Sequence, residues 1–150
     1  MKEYIVYTDG GYVLSKNVGA GAYIILKADG KTILKQGSFL VKKETSQRAE
    51  VKAILAALEE LPDHSKVRII TDNLYATLNL GKIPKRKNKP DMDLLLQYKQ
   101  LVRLKKIQVE FEWVRSHKGH DWNELCDSLC TEALDLALQP PQPEISPELL

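Results

Sequence analysis

The sequence predicts an α/β fold: a five-stranded mixed sheet, three antiparallel strands and then two parallel ones, with helices on both faces. Two features carry this prediction. Three β-rich segments follow one another closely at the N-terminus, and an amphipathic helix then leads to a short apolar segment. A strand, a helix and a further strand in succession call for a crossover connection, which places the later strand parallel to an earlier one.

The first three strands are predicted to precede the first helix. Glu3 to Asp9 (EYIVYTD) is rich in β-branched and aromatic residues and ends at the pair Gly10-Gly11. A second run covers Gly19 to Ala28, and a third covers Lys31 to Leu40. Between them, Asp29-Gly30 is a strong signal for a short hairpin. Such short connections predict an antiparallel meander.

The segment from Thr45 to Leu61 (TSQRAEVKAILAALEEL) is predicted to be a helix with one apolar face. Glu50 falls on that face, where an ionised carboxylate is costly unless a cation or hydrogen-bond donors receive it. Two interpretations follow. Glu50 lies at the rim of the face and reaches water, or it meets a cation that the rest of the chain supplies. The apolar face consists of Val51, Ile54, Leu55, Leu58 and Leu61.

The second half of the chain continues the alternation of strands and helices. Val67 to Thr71 (VRIIT) is a short apolar strand that ends at Asp72. Ile107 to Val114 alternates apolar and polar residues, which indicates an edge strand with one face in water. Helices are predicted over 73–80, Met92 to Lys105 and Trp122 to Leu138.

The composition is that of an ordinary globular domain. The chain has 150 residues, 43% of them apolar, and its net charge of +2 by itself indicates no polyanionic partner. We expect one domain over residues 1–138 and a proline-rich, flexible tail over 139–150. The sequence has no apolar run near the ~20 residues of a membrane helix and no signal-peptide pattern. We therefore expect a cytoplasmic monomer with no membrane partner, in which Cys126 and Cys130 are reduced core residues.

Acidic residues occur at the predicted strand ends. Asp9 and Asp72 each end a strand, and because these strands are predicted to be parallel, both residues lie at the same edge of the sheet. Asp127 lies at the border between the polar and apolar sides of the last helix. Each acid alone has an ordinary interpretation as a strand terminator, a helix N-cap or a solvated side chain. If all of them converge with Glu50, their repulsion calls for hard cations, and oxygen ligands favour Mg²⁺ or Mn²⁺.

Four segments, in this order and at this spacing, closely resemble the motifs of type 1 ribonucleases H. They are YTDGG (7–11), TSQRAE (45–50), ITDN (70–73) and WVRSHKGHDWNELCD (113–127). The resemblance covers residues 3–138 and implies a ribonuclease H-like fold. It also implies an endoribonuclease that hydrolyses the RNA strand of RNA–DNA hybrids with two Mg²⁺ ions, for which Mn²⁺ substitutes. The products would carry 5′-phosphate and 3′-hydroxyl ends.

The resemblance also implies the catalytic residues. His117 matches the histidine of a mobile loop that assists product release or proton transfer, and a surface loop histidine is its ordinary alternative. Glu50 matches a metal ligand, which favours the second of its two interpretations. The full set that matches the family's catalytic, metal-binding carboxylates is Asp9, Glu50, Asp72 and Asp127.

Substrate contacts are implied around the start of the first helix. Gln47 matches a residue that contacts the RNA 2′-hydroxyl, the group that distinguishes RNA from DNA. Thr45, Arg48 and Asn88 match residues that hold a phosphate of the DNA strand. Helix capping is the ordinary alternative for the residues that begin this helix. The remaining matched substrate-binding positions are Gly10, Gly11 and Ser46.

Three places depart from the family pattern. Gly11 stands where serine is commonest, and Ser46 stands where asparagine is frequent. The loop Lys82 to Pro90 (KIPKRKNKP) is short and lacks tryptophan, where many members carry a longer basic helix that grips the DNA strand. Because phosphate contacts dominate affinity and its salt dependence, we expect hybrid binding that is weaker than in members with the helix, and more salt-sensitive in that less salt abolishes it. The ordinary alternative for this loop is a solvated turn.

Two other functions stay open on the sequence. The first is a nuclease of the same fold that acts on another nucleic acid, or a ribonuclease H domain of a reverse transcriptase, although the chain carries no polymerase sequence. The second is a non-catalytic binding module, which has no need of four clustered carboxylates. Cleavage compared across hybrid, double-stranded RNA and single-stranded RNA distinguishes the first, and binding without turnover would favour the second.

Overall fold

The computed structural model describes residues 1–73, 76–77, 80, 91–115 and 121–139. Within these residues, five strands form a single sheet with the order β3-β2-β1-β4-β5. The strands are β1 (Glu3–Val13), β2 (Val18–Lys27), β3 (Ile33–Lys42), β4 (Lys66–Thr71) and β5 (Gln108–Trp113). The helices are α1 (Ser46–Glu60), α2 (Met92–Lys105) and α3 (Asp121–Leu138).

The pairing of the strands confirms the predicted mixed sheet. β1 pairs antiparallel with β2, and β2 pairs antiparallel with β3. β4 runs parallel to β1, and β5 runs parallel to β4. β5 therefore forms one edge of this sheet, as its alternating sequence predicts.

Helices cover both faces of the sheet, as predicted. α1 and α2 lie on one face, where Val6, Ile54 and Ile69 are fully buried between them and the sheet. α3 lies on the other face, where Cys126 and Cys130 are buried against β2 and are free thiols, as the sequence predicts. The apolar residues of β2 that pack against α3 are Ala20, Ala22, Ile24 and Leu26.

β1 is longer than predicted, and its extra length shapes the site. The sequence indicated a strand that ends at Asp9, but β1 continues through both glycines to Val13. The reason is its antiparallel partner, since β2 satisfies the backbone of β1 up to the pair Val13 and Val18. The parallel pairing with β4 ends much earlier, at Tyr7 and Ile70. Beyond Tyr7, the backbone of β1 therefore lies beside β2 alone among the described strands.

Local signals in the sequence account for the turn and the helix start. Gly30 has a φ of +71°, a left-handed conformation that glycine adopts without strain. Next to it, the Asp29 carboxylate accepts hydrogen bonds from the backbone nitrogens of Lys31 and Thr32. At the start of α1, Thr45 is the N-cap, and its hydroxyl accepts a hydrogen bond from the backbone nitrogen of Arg48 at 3.2 Å. The predicted short hairpin is confirmed, with residues 28–32 between β2 and β3. The cap falls at Thr45, where capping was the ordinary alternative to a substrate contact.

Some predicted segments lie outside the described residues. These are the basic loop over 82–90, the loop over 116–120 and the tail beyond Gln139. Of the helix predicted over 73–80, Ala76 and Thr77 are helical, and the rest is described only at Asn73 and Leu80. Where the chain is described, no helix combines the length and the apolar character needed to cross a membrane.

Candidate active site

The register of the two central strands brings matching residues of β1 and β4 to the same level. Their last pair is Tyr7 with Ile70. One residue further along each strand stands a threonine, Thr8 in β1 and Thr71 in β4, and one residue beyond that stands an aspartate. Two Thr-Asp pairs therefore end the parallel pairing side by side, which puts Asp9 and Asp72 at neighbouring positions.

α1 adds the third acidic residue because it approaches β1 very closely. A Cβ at position 10 would lie 2.5 Å from the backbone nitrogen of Glu50 and 2.9 Å from its Cα. Glycine at position 10 thus allows the backbone of α1 to contact β1. This contact places the Glu50 side chain, which is only 1% exposed, at the ends of β1 and β4.

Gly10→Ala is expected to destabilise the protein and to impair the site together. The new methyl group would overlap the α1 backbone, and overpacking of this kind typically costs about 1–3 kcal/mol. Gly11→Ala is the matched control, because a Cβ there would lie 3.6 Å from Cys130 Sγ, an ordinary contact. Urea unfolding should show a lower midpoint for Gly10→Ala than for Gly11→Ala. Equal midpoints would contradict the close approach of α1.

Three carboxylates converge at this point. One oxygen each of Asp9, Glu50 and Asp72 lie within 4.8 Å of one another. Asp9 and Glu50 are buried and Asp72 is half-buried. Asp127, half-buried on α3, lies outside this three-residue group but beside Asp9, close enough for a hydrogen bond between the two carboxyl groups. All four predicted acids therefore occupy one region, three of them in mutual reach.

The electrostatics of the centre favour proton uptake when no cation is present. Burial, followed by the charge of Glu50 and the hydrogen bond to Asp127, raises the pKa of Asp9 to about 9. Burial also raises the pKa of Glu50 to about 7, although hydrogen bonds from Thr8 and Thr71 partly oppose this rise. A divalent cation would replace these protons as the counter-charge.

Glu50 is held by two buried hydroxyl groups. Thr8 Oγ1 donates to Glu50 Oε1 at 2.6 Å, and Thr71 Oγ1 donates to the same oxygen at 2.8 Å. Reasoning from the sequence assigned neither threonine a role. The signal was nonetheless present, since each threonine immediately precedes a candidate metal ligand in the segments YTDGG and ITDN.

The donor set fits a hard divalent cation. All the candidate ligands are carboxylate oxygens, which Mg²⁺ and Mn²⁺ prefer, whereas zinc sites are rich in cysteine and histidine. The thiol of Cys126 is not among these mutually close ligand atoms; it lies within hydrogen-bond distance of the Ala22 carbonyl oxygen at 3.3 Å. Asp9, Glu50 and Asp72 could therefore hold a divalent metal ion, with Asp127 beside them.

Arg48 has a more acidic environment than a phosphate-binding role alone would suggest. Its guanidinium group donates to both carboxylate oxygens of Asp93, at 2.8 and 2.9 Å. It also pairs with Glu44 and lies 3.5 Å from Asp91. The bidentate pairing holds the pKa of the Asp93 carboxyl at about 2. A substrate phosphate at Arg48 would compete with these carboxylates.

The other predicted substrate contacts lie in two groups. Thr45, Ser46 and Gln47 are exposed at the start of α1, one turn before Glu50. Gly10 and Gly11 are half-buried in β1 next to Asp9. Asn88, predicted as a phosphate contact, and His117, predicted as a catalytic loop residue, both lie outside the described residues.

The strand order and the acidic centre define a protein of the ribonuclease H-like class, and solved structures share its fold. The N-terminal RNase H domain of a Mycobacterium tuberculosis protein superposes with a TM-score of 0.77 at 20% identity, covering 91% of this chain and 96% of that chain. LC11-RNase H1 in complex with an RNA/DNA hybrid gives a TM-score of 0.75 at 22% identity, covering 91% and 99%.

Sequence comparison identifies the family. The RNase H family model matches residues 1–135. Ribonuclease HI of Campylobacter jejuni is 32% identical over 139 residues, which cover 89% of this chain and 92% of the relative. Ribonuclease H of Trichodesmium erythraeum is 37% identical over 142 residues, covering 87% and 88%. The chain belongs to the ribonuclease H family and is a hydrolase of the ribonuclease HI type.

Proposed function

We propose that this protein is an endoribonuclease that cleaves the RNA strand of RNA–DNA hybrids with two Mg²⁺ ions. The observation that carries the proposal is the convergence of Asp9, Glu50 and Asp72 at the ends of β1 and β4, in a chain of the ribonuclease H family. The structural relative LC11-RNase H1 forms a complex with an RNA/DNA hybrid. We propose the same substrate class here.

The acidic residues would bind the metal ions and orient the scissile phosphate. When bound, two divalent ions would supply an activated water and a counter-charge for the leaving 3′ oxygen. Water attacks phosphorus, the P–O3′ bond breaks, and the products carry a 5′-phosphate and a 3′-hydroxyl. Asp9 and Glu50 must be deprotonated for this role, so metal binding releases the protons that their raised pKa values retain. We assign His117 to product release or proton transfer.

Recognition of the hybrid is proposed to start at the N-terminus of α1. The exposed side chains of Thr45, Ser46 and Gln47 lie one turn from Glu50, so a strand that places its phosphate on the metals passes them. Backbone N–H groups at a helix N-terminus also favour phosphate. Gln47 is our candidate for contact with the 2′-hydroxyl. Arg48 would exchange Asp93 for a DNA-strand phosphate, with Asn88 as its proposed neighbour.

The decisive experiment compares substrates and metal ions. End-labelled RNA–DNA hybrid, double-stranded RNA, single-stranded RNA and DNA duplex are incubated with Mg²⁺, with Mn²⁺ and with EDTA, and the product ends are mapped. We expect cleavage of the hybrid alone, in either metal, with 5′-phosphate and 3′-hydroxyl ends. Cleavage of double-stranded RNA would indicate a different nuclease of this fold. Hybrid binding in Mg²⁺ without turnover would indicate a binding module.

The basic loop is expected to supply phosphate contacts. Replacing its five basic residues with alanine should weaken hybrid binding and flatten the dependence of log affinity on log salt concentration, since each phosphate contact adds roughly 0.9 to the slope. Fluorescence anisotropy of the Asp9→Asn protein on labelled hybrid at several salt concentrations measures this. An unchanged slope would remove the loop from the binding surface. The replaced residues are Lys82, Lys85, Arg86, Lys87 and Lys89.

A second set of lysines provides a control that separates this effect from net charge. Lys27 pairs with Tyr4 at the end of the sheet opposite Asp9, and Lys31 lies in the turn that follows. Alanine at Lys2, Lys27 and Lys31 should lower the affinity far less, per charge removed, than the loop replacement does. Equal losses per charge would indicate that only the overall charge matters.

A further inference from the structure

We infer that Thr8 and Thr71 are positioning residues that hold Oε1 of Glu50 and so present its other oxygen, Oε2, to the metal site. The inference rests on the proposed function, because it gives Glu50 a metal to bind. It adds two fully buried residues to the predicted site. They act through Glu50.

The hydrogen bonds are short, buried and directed at one atom. Both threonines are completely buried, and Glu50 is 1% exposed. Their hydroxyl groups lie 2.6 and 2.8 Å from the same carboxylate oxygen. Hydrogen bonds to a carboxylate are stronger than those between neutral groups. Because Oε1 accepts both hydrogen bonds, Oε2 is the oxygen best placed to bind a metal ion together with Asp9 and Asp72.

The direction of the Thr71 hydroxyl is fixed by a third contact. The backbone nitrogen of Asn73 donates to Thr71 Oγ1 at 3.0 Å. Because this oxygen accepts a hydrogen bond from the Asn73 N–H, its own O–H is left to donate to Glu50. The Asn73 side chain in turn accepts from the backbone nitrogen of Ala76 at 2.9 Å, which ties the segment after β4 to the same network. The end of β4 and Glu50 are thereby oriented together.

The arrangement goes further than neutralising one buried acid. Donors on opposite oxygens would satisfy the same carboxylate, but they would cover the oxygen that a metal needs. Here β1 and β4 each carry a threonine one residue before a candidate ligand. α1 places Glu50 within hydrogen-bond distance of both hydroxyl groups. Ligand-orienting residues of this kind typically change metal affinity by about 10–100-fold when they are replaced.

The test compares valine, which keeps the shape of threonine, with serine, which keeps the hydroxyl. We expect Thr8→Val and Thr71→Val to bind Mn²⁺ about 10–100-fold more weakly than the unmodified protein in isothermal titration calorimetry. Thr8→Ser and Thr71→Ser should restore most of the affinity. Ser65→Ala is the matched control: Ser65 is 1% exposed and its hydroxyl donates to the Pro62 carbonyl oxygen, so the affinity should not change.

A double variant shows whether the threonines act through Glu50. In a Glu50→Gln background, Thr71→Val should cause no further loss of Mn²⁺ affinity. An additional loss of the full size would overturn the inference, as would valine variants that bind Mn²⁺ like the unmodified protein. If a valine variant fails to fold by circular dichroism, Thr8→Ala and Thr71→Ala take its place with the same expectation. Failure of the proposed function is distinguishable, since the unmodified protein itself would then bind no Mn²⁺ or cleave no hybrid.

Discussion

Asp9→Asn is expected to abolish nearly all hybrid cleavage while leaving the fold intact and the metal-free protein more stable. Asp9 lies close to every other acid of the centre. One of its oxygens lies within 4.8 Å of oxygens of Glu50 and Asp72, and its carboxyl group is hydrogen-bonded to Asp127. The amide keeps the shape of the side chain but removes the charge that a metal ion requires.

The loss of activity follows from the role of the metal. Charge stabilisation by a bound metal contributes several kcal/mol to the transition state. A loss of about 4 kcal/mol lowers the rate about 10³-fold. Hybrid cleavage under single-turnover conditions measures it, and Asp135→Asn, an exposed position on α3, is the control. Full activity in Asp9→Asn would refute the assignment of this site.

The gain in stability has a separate cause. Without metal, a buried Asp9 next to Glu50 must either take up a proton or tolerate repulsion, as its raised pKa shows. Asparagine removes this conflict. Urea unfolding in EDTA should therefore give a higher midpoint for Asp9→Asn than for the unmodified protein. A lower midpoint would mean that the Asp9 carboxyl group stabilises the metal-free protein through favourable contacts, which would contradict the expected repulsion.

Much of the fold could be predicted because its signals are local. The apolar face of α1, the N-cap at Thr45 and the Asp29-Gly30 turn each depend on a few neighbouring residues, and each matches the structure. The parallel direction of β4 followed from the intervening helix. The end of β1 was predicted incorrectly because its length depends on β2, a partner that the sequence of β1 does not reveal.

The candidate site could be predicted only in part, for a similar reason. The apolar surroundings of Glu50 are visible in the helical periodicity, and the resemblance supplied the other acids. The hydroxyl groups that hold Glu50 belong to Thr8 and Thr71, which lie on two strands and are 63 positions apart in the sequence. The pairing of Arg48 with Asp93 likewise joins α1 to α2. Such contacts arise from the tertiary fold. The two Thr-Asp pairs draw attention to the threonines, but no local pattern shows that their hydroxyl groups meet Glu50.

The metal-free protein is expected to lose stability as the pH rises from about 5 to about 9, and Mg²⁺ is expected to reverse that loss. Folding raises the pKa of Asp9 from 3.8 to about 9 and that of Glu50 from 4.5 to about 7. Between the ordinary and the raised values, the folded protein binds more protons than the unfolded chain. The free energy of unfolding therefore falls as the pH increases.

The size and the reversal of this effect both follow from linkage. Each pKa unit corresponds to about 1.36 kcal/mol, so the combined loss is on the order of several kcal/mol. Mg²⁺ competes with the same protons, and a ligand at 100 times its dissociation constant adds about 2.7 kcal/mol. Mg²⁺ should thus stabilise the protein more at pH 9 than at pH 6. Urea unfolding across this pH range, in EDTA and in Mg²⁺, measures both trends.

Asp9→Asn provides the control that assigns the pH dependence to the acidic centre. With one of the two shifted groups removed and the repulsion on Glu50 relieved, its unfolding free energy in EDTA should depend much less on pH. Its response to Mg²⁺ should also be smaller, because a ligand is missing. An unchanged pH slope in this variant would place the linked protons elsewhere in the protein. A flat slope combined with a full response to Mg²⁺ would instead separate proton binding from metal binding, and that result would contradict a centre in which the same carboxylates hold both.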